Sequence, residues 1–126
     1  MRIRTNHHYD KTVYADVDLT LGFTIKHAPI ATSASGATQI VAGVSGKRIK
    51  VCHVNVTSNG TVNVKWQSGT TDKTGLAYLT QFSGYESAYV PPGNGCLFET
   101  AVGEALNINL SGATAVGGFI TYYEED

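Results

Sequence analysis

The sequence predicts an all-β, antiparallel sandwich of about eight strands, carried behind an extended N-terminal arm. Three observations predict it. Apolar residues recur with a period of two through most of the chain, which puts them on one side of a pleated strand. Turn signals rich in Gly, Asn and Pro interrupt these runs at short spacing, the pattern of sandwiches and barrels. No segment has the i, i+3, i+4 apolar spacing of a helix facing a core. At 126 residues the chain is long enough for one domain with a real core.

Residues 1–15 read as the arm and 16–126 as the sandwich. The arm holds Arg2, Arg4, Lys11, His7 and His8 against a single acid, Asp10, and its sparse apolar residues have no pattern that would bury them. Val17, Leu19, Leu21, Phe23 and Ile25 then alternate with small or polar residues, which predicts a long half-buried strand ended with help from Pro29. The small residues 31–37 read as a loop. A short strand is expected over 39–44, a turn at Ser45-Gly46, and a strand over 48–57. Within that strand Ile49 and Val51 share one parity and Val54 and Val56 the other, so a β-bulge near Cys52-His53 or burial on both faces is expected. Asn59-Gly60 lies between Val54, Val56 and Val62, Val64, Trp66, which predicts a hairpin closed by a type I′ turn. Further strands are expected over 76–79, 88–90, 97–100, 106–110 and 119–123. They are separated by a polar loop at 68–75, a Ser-Gly turn at 83–84 and the breaker Pro-Pro-Gly-Asn-Gly at 91–95.

Composition narrows the function. Charged residues are 15% of the chain against the ~25% usual for soluble domains. The low charge suggests surface meant to be covered by partners. Net charge is −1, so there is no basic excess to neutralise a phosphate backbone, and nucleic acid is not an expected partner. No apolar run approaches the ~20 residues of a membrane span, and no membrane partner is expected. The segment Met1–His8 lacks the apolar stretch of a secretory signal, which points to folding in a cytoplasm. There Cys52 and Cys96, far apart in sequence, are expected as free thiols.

No residue pattern points to catalysis, a cofactor or a metal. His7-His8, His27 and His53 have none of the chelating spacings, and adjacent side chains on a strand face opposite ways. The same geometry argues against a Cys52–His53 dyad. Asp16 and Asp18 alternate with Val17 and Leu19 and read as the wet side of a strand. Gly46-Lys47 fails the phosphate-loop pattern, because Val41 and Arg48 stand where a Gly and a Ser or Thr are needed. Three Asn-x-Ser/Thr sites, at Asn55, Asn59 and Asn109, have no meaning without secretion. The mid-chain aromatics Trp66, Tyr78, Phe82, Tyr85 and Tyr89 remain, as core, as subunit interface or as a sugar-stacking platform. The ends carry opposite charge, the arm basic and Glu124-Glu125-Asp126 acidic, which suits pairing between neighbouring subunits or solubility of exposed strands.

A series of strand and turn phrases carries a resemblance: Ser-Gly-Lys-Arg-Ile-Lys-Val at 45–51, Val-Lys-Trp-Gln-Ser-Gly-Thr-Thr-Asp-Lys-Thr-Gly at 64–75, Leu-Phe-Glu-Thr at 97–100, Gly-Glu-Ala-Leu-Asn-Ile-Asn-Leu-Ser at 103–111 and Val-Gly-Gly-Phe-Ile-Thr-Tyr at 116–122. Over residues 40–123 the chain resembles small β-sandwich structural proteins of tailed bacteriophages, in particular head decoration (cement) proteins. The resemblance implies a jelly-roll-like homotrimer on the outer surface of the virion capsid, made in the host bacterial cytoplasm. It would bridge major capsid protein subunits, without enzymatic activity or cofactor. Under that reading Tyr9 and Tyr14 anchor the arm on the shell, Arg2, Arg4 and Lys11 meet acidic shell patches, and Trp66, Phe82 and Tyr85 form the trimer interface. Related phrases in phage proteins near tail-fibre genes imply the alternative of a tail-fibre, receptor-binding or carbohydrate-binding module. Its site would be the loops 68–75 and 91–95 with Trp66 or Tyr85.

Overall fold

The computed structural model describes residues 22–126. The expected arm, with Arg2, Arg4, Tyr9, Lys11 and Tyr14, and the Val17–Leu21 part of the first expected strand lie outside the described residues. Among the described residues ten strands form two antiparallel sheets, five strands in each. They are β1 (Lys26–Thr32), β2 (Gly36–Val41), β3 (Arg48–Ser58), β4 (Val62–Ser68), β5 (Thr71–Asp72), β6 (Ala77–Leu79), β7 (Gly84–Glu86), β8 (Phe98–Glu99), β9 (Leu106–Leu110) and β10 (Val116–Glu125).

One sheet runs β1-β10-β3-β7, with β8 also paired to β3; the other runs β2-β9-β4-β5, with β6 also paired to β4. The short strands β7 and β8 share one edge, against Asn55–Thr57 and Lys50–Val51 of β3. Likewise β5 and β6 share the edge beside β4. Each sheet therefore has four strand positions, and the chain changes sheet six times, at β1→β2, β2→β3, β3→β4, β6→β7, β8→β9 and β9→β10. This alternation between two four-position sheets is a jelly roll.

The apolar faces meet between the sheets. Ile30, Val51, Val56 and Ile120 come from one sheet, and Val64, Trp66, Leu106 and Ile108 from the other, all almost fully buried. In β9 the buried Leu106, Ile108 and Leu110 alternate with Asn107 and Asn109, as the period of two requires. On the outer face, Asn109 Nδ2 donates to Gln67 Oε1 (3.1 Å), and Gln67 Nε2 donates to Asp72 Oδ1 (2.8 Å).

Several expectations are corrected. Asn59-Gly60 does not close a hairpin: β3 and β4 lie in different sheets, and neither residue has a positive φ, so no type I′ turn forms. The chain arches from one layer to the other instead. Ser58, buried at the arch, accepts a hydrogen bond from Gly60 N at 3.1 Å, and Asn59 N donates to Ala115 O at 2.9 Å. Pro29 does not stop a strand but sits inside β1, opposite Phe119. Because β1 is an edge strand, its outer side needs no N–H from that position. The 31–37 stretch is largely strand, shared between the end of β1 and the start of β2. The expected strand at 88–90 is irregular, although Val90 N still donates to Cys52 O at 2.9 Å. The Ser-Gly turn is displaced: Gly84 starts β7, and the reversal is Thr80–Ser83.

The bulge is where parity put it. His53 pairs with Thr121 and Val51 with Tyr122, leaving Cys52 as the extra residue of β3. The acidic tail is used within the chain: Lys26 meets Glu124 (2.7 Å), Lys50 meets Glu125 (2.6 Å) and Lys47 meets Asp126 (2.7 Å).

Candidate functional site

The Thr80–Ser83 turn is tied down on all sides. Ser83 N donates to Thr80 O (3.1 Å), Thr80 N donates to Ser83 Oγ (2.8 Å), and Ser83 Oγ donates back to Thr80 O (2.9 Å). Phe82 N donates to Ser58 O (2.7 Å) and Ser58 N to Ser83 O (2.8 Å), which locks the turn to the arch. Phe82 occupies the third position with φ 62°, and among the described residues no other non-glycine has a positive φ. Type II turns give that position to glycine, because a Cβ there costs roughly 1–2 kcal/mol. The ring is nevertheless 79% exposed.

Phe82 overhangs a shallow depression of about 670 Å³. Its floor is set by cross-strand register: Ala31 lies opposite Gly117, and Gly117 opposite Thr57, so three small residues stand in a row. Thr32, Ser33, Ser58, Asn59, Ala115 and Val116 complete the lining. Tyr78, on β6, is similarly exposed at 76%.

The other two residues expected at a trimer interface lie elsewhere. Trp66 is 1% exposed and belongs to the core, so it presents no surface to a neighbour. Its ring packs 6.0 Å from Phe98, and its Nε1–H donates to the Tyr85 hydroxyl at 3.1 Å. Tyr85 is half-buried against the core, and burial raises its phenol above the usual range. Phe82 is thus separated in role from Trp66 and Tyr85. The sugar-stacking expectation also loses Trp66 as a platform. Loop 68–75 is partly strand and closes on β4: Asp72 takes bonds from Gln67 and Lys65, which hold its carboxyl below the usual range.

His53 and Cys52 are not joined by a hydrogen bond among the described residues. His53 Nε2 meets Glu86 Oε2 at 2.9 Å, and its ring lies 5.5 Å from Phe119. His27 Nδ1 lies 3.0 Å from Thr121 Oγ1. Cys52 and Cys96 are both free thiols; burial pushes Cys52 up to about 11 and also raises Cys96, whose Sγ faces Glu99 at 3.9 Å. Thiols held protonated in this way are poor nucleophiles at neutral pH.

Sequence reasoning singled out Phe82 but missed the depression beneath it. Ala31, Thr57 and Gly117 are too far apart in sequence for their adjacency to be read without strand pairing. The turn itself left a signal, a Thr and a Ser three apart, each able to bond the other's backbone.

No family model matches the chain, and no curated protein matches it. Among solved structures, the crystal structure of PirA is similar at 16% identity over 90% of this chain and 100% of that one, with a TM-score of 0.23. At that score the likeness carries no argument about this chain.

Proposed function

We propose that this chain is a non-enzymatic structural protein of a bacteriophage virion that decorates and stabilises the icosahedral capsid, docking on the major capsid protein as a homotrimer. The observation that carries the reading is Phe82. A large apolar ring in open solvent, held there by a backbone conformation that disfavours it, has the character of a contact residue. The phrases behind the resemblance support it from the other side. They fall on β3, on β4 with β5, and on β8, β9 and β10, which puts them in both sheets of the jelly roll. A rigid block of this kind can brace several shell subunits at once. Three linked copies turn modest single contacts into firm attachment.

The test uses heads assembled from the cognate major capsid protein without this chain. Purified chain added back should sediment with them, and Phe82→Gly should lose most of that binding while staying folded. A solution mass of three copies is expected. Failure of the unaltered chain to sediment with heads overturns the proposal. Specific capture on a glycan array, without head binding, would move the chain to the tail as a receptor- or carbohydrate-binding module.

A further inference from the structure

Beside the edge strands β6 and β7 lies a second and quite different cavity. It measures about 350 Å³, within the usual range for small-molecule sites. Trp66, Tyr85, Phe98, Leu97, Leu76 and Val54 supply most of its wall, with Thr74 and Ser87 as the polar side chains.

The hydrogen bonds around it are almost all closed. Thr74 Oγ1 accepts from Trp66 N (3.0 Å) and donates to Gly75 O (2.9 Å). Ser87 Oγ accepts from Val54 N (2.9 Å) and donates to Ala88 O (3.1 Å). The Trp66 indole can only donate, so the Tyr85 oxygen must accept in their 3.1 Å bond. The phenol's own proton is then left over, and among the described residues it has no acceptor. Burial keeps that phenol protonated through neutral pH. The cavity thus has aromatic and aliphatic walls and one uncommitted O–H donor.

We infer that this cavity is a binding site for a small aromatic molecule carrying one oxygen acceptor, with the ring against Phe98, Leu97 and Leu76 and the oxygen bonded to the Tyr85 hydroxyl. Aromatic walls favour a planar ring over an aliphatic chain. A purely apolar ligand would strip the half-buried Tyr85 hydroxyl of its hydration without replacing it, which disfavours such a ligand. The site is independent of capsid attachment, since Phe82 and its depression share no lining residue with it.

Trp66 is the chain's single tryptophan, so its indole N–H gives a single, assignable NMR signal. Acetophenone is the probe, and ethylbenzene, which has nearly the same shape without the carbonyl, is the control. Titrating acetophenone into the ¹⁵N-labelled chain should move the indole signal saturably, and ethylbenzene should bind about tenfold more weakly. Tyr85→Phe removes the phenol proton but frees the Trp66 indole N–H, so it is combined with Trp66→Phe; in that double variant, followed by the compounds' own ¹H signals, the two affinities should come within about twofold of each other. Ala77→Leu, which adds bulk at the cavity wall, should abolish both. No saturable shift with either compound overturns the inference. So does a carbonyl preference that survives in the double variant, whose fold is checked by circular dichroism.

Discussion

Glycine at position 82 suits the local backbone better than the phenylalanine found there. Phe82→Gly removes a Cβ from a φ of 62° and exposes no core, since the ring is already in solvent. Thermal or urea unfolding should therefore show the variant about 1 kcal/mol more stable, less the chain entropy glycine adds to the unfolded state. A more stable protein that no longer binds its partner would identify the ring as placed for contact, whereas a structural ring would lose stability. Cys52 gives a pH test. Its thiol ionises near 11 in the folded chain, against 9.0 for an unburied one. Between those values the unfolded chain has lost a proton that the folded chain keeps, so stability is full below pH 9 and falls as pH rises toward 11. Urea midpoints across that range should decline, and Cys52→Val should flatten the decline. The part that remains belongs to the other raised groups, among them the Cys96 thiol and the phenols of Tyr85, Tyr89, Tyr122 and Tyr123. The bulge at Cys52 was legible in the sequence as one of the two readings of a parity switch, the other being burial on both faces, and the register of β3 against β10 decides for it. Phe82's conformation was not, because nothing in its own side chain favours a positive φ.

Among the elements, the crossing at Asn59-Gly60 shows the limit of reading alternation. A hairpin and an arch bury the same alternating residues; only the sheet in which the second strand lands differs. Val54, Val56, Val62, Val64 and Trp66 are all core, as the period required, yet they face one another across the sandwich. The two geometries predict different mutants. A type I′ turn would depend on Asn59, whereas the arch depends on Ser58, which bonds Gly60 N from a buried position. Ser58→Ala should cost about 1–2 kcal/mol in urea unfolding and Asn59→Ala less than about 0.5 kcal/mol. The pairing of β3 with β10 sets a second constraint. A Cβ on Gly118 would stand 1.9 Å from Asn55 O on the neighbouring strand, at a φ of 138°. Gly118→Ala should destabilise by more than about 3 kcal/mol, read as a large drop in melting temperature. Pro29 is the converse. Read alone it is a strand breaker, and only its place on the sheet edge makes it compatible with β1.

For the molecule as a whole, the sandwich was legible because it follows from local alternation, and the strand order was not because it follows from long-range pairing. Lys26 pairs with Tyr122, and Lys50 with both Tyr123 and Glu99, so most of one sheet joins distant parts of the chain. Such a topology folds slowly: refolding by stopped-flow fluorescence of Trp66 should take milliseconds to seconds, not microseconds. The cavity beside Tyr85 also belongs to this scale. Its lining comes from β3, β4, the β5–β6 loop, β6, β7, the β7–β8 connection and β8, and no local motif could have announced it.

The placing of β10 between β1 and β3 has a consequence for biosynthesis. As the nascent chain leaves the ribosome, the strands on either side of that gap emerge first, β1 without a sheet partner and β3 with only β7 and β8 along its other edge. The missing ribbon arrives only with residues 116–125. A translation product broken off before that point would expose two bare backbone edges to proteases, so only chains carried through β10 would escape degradation.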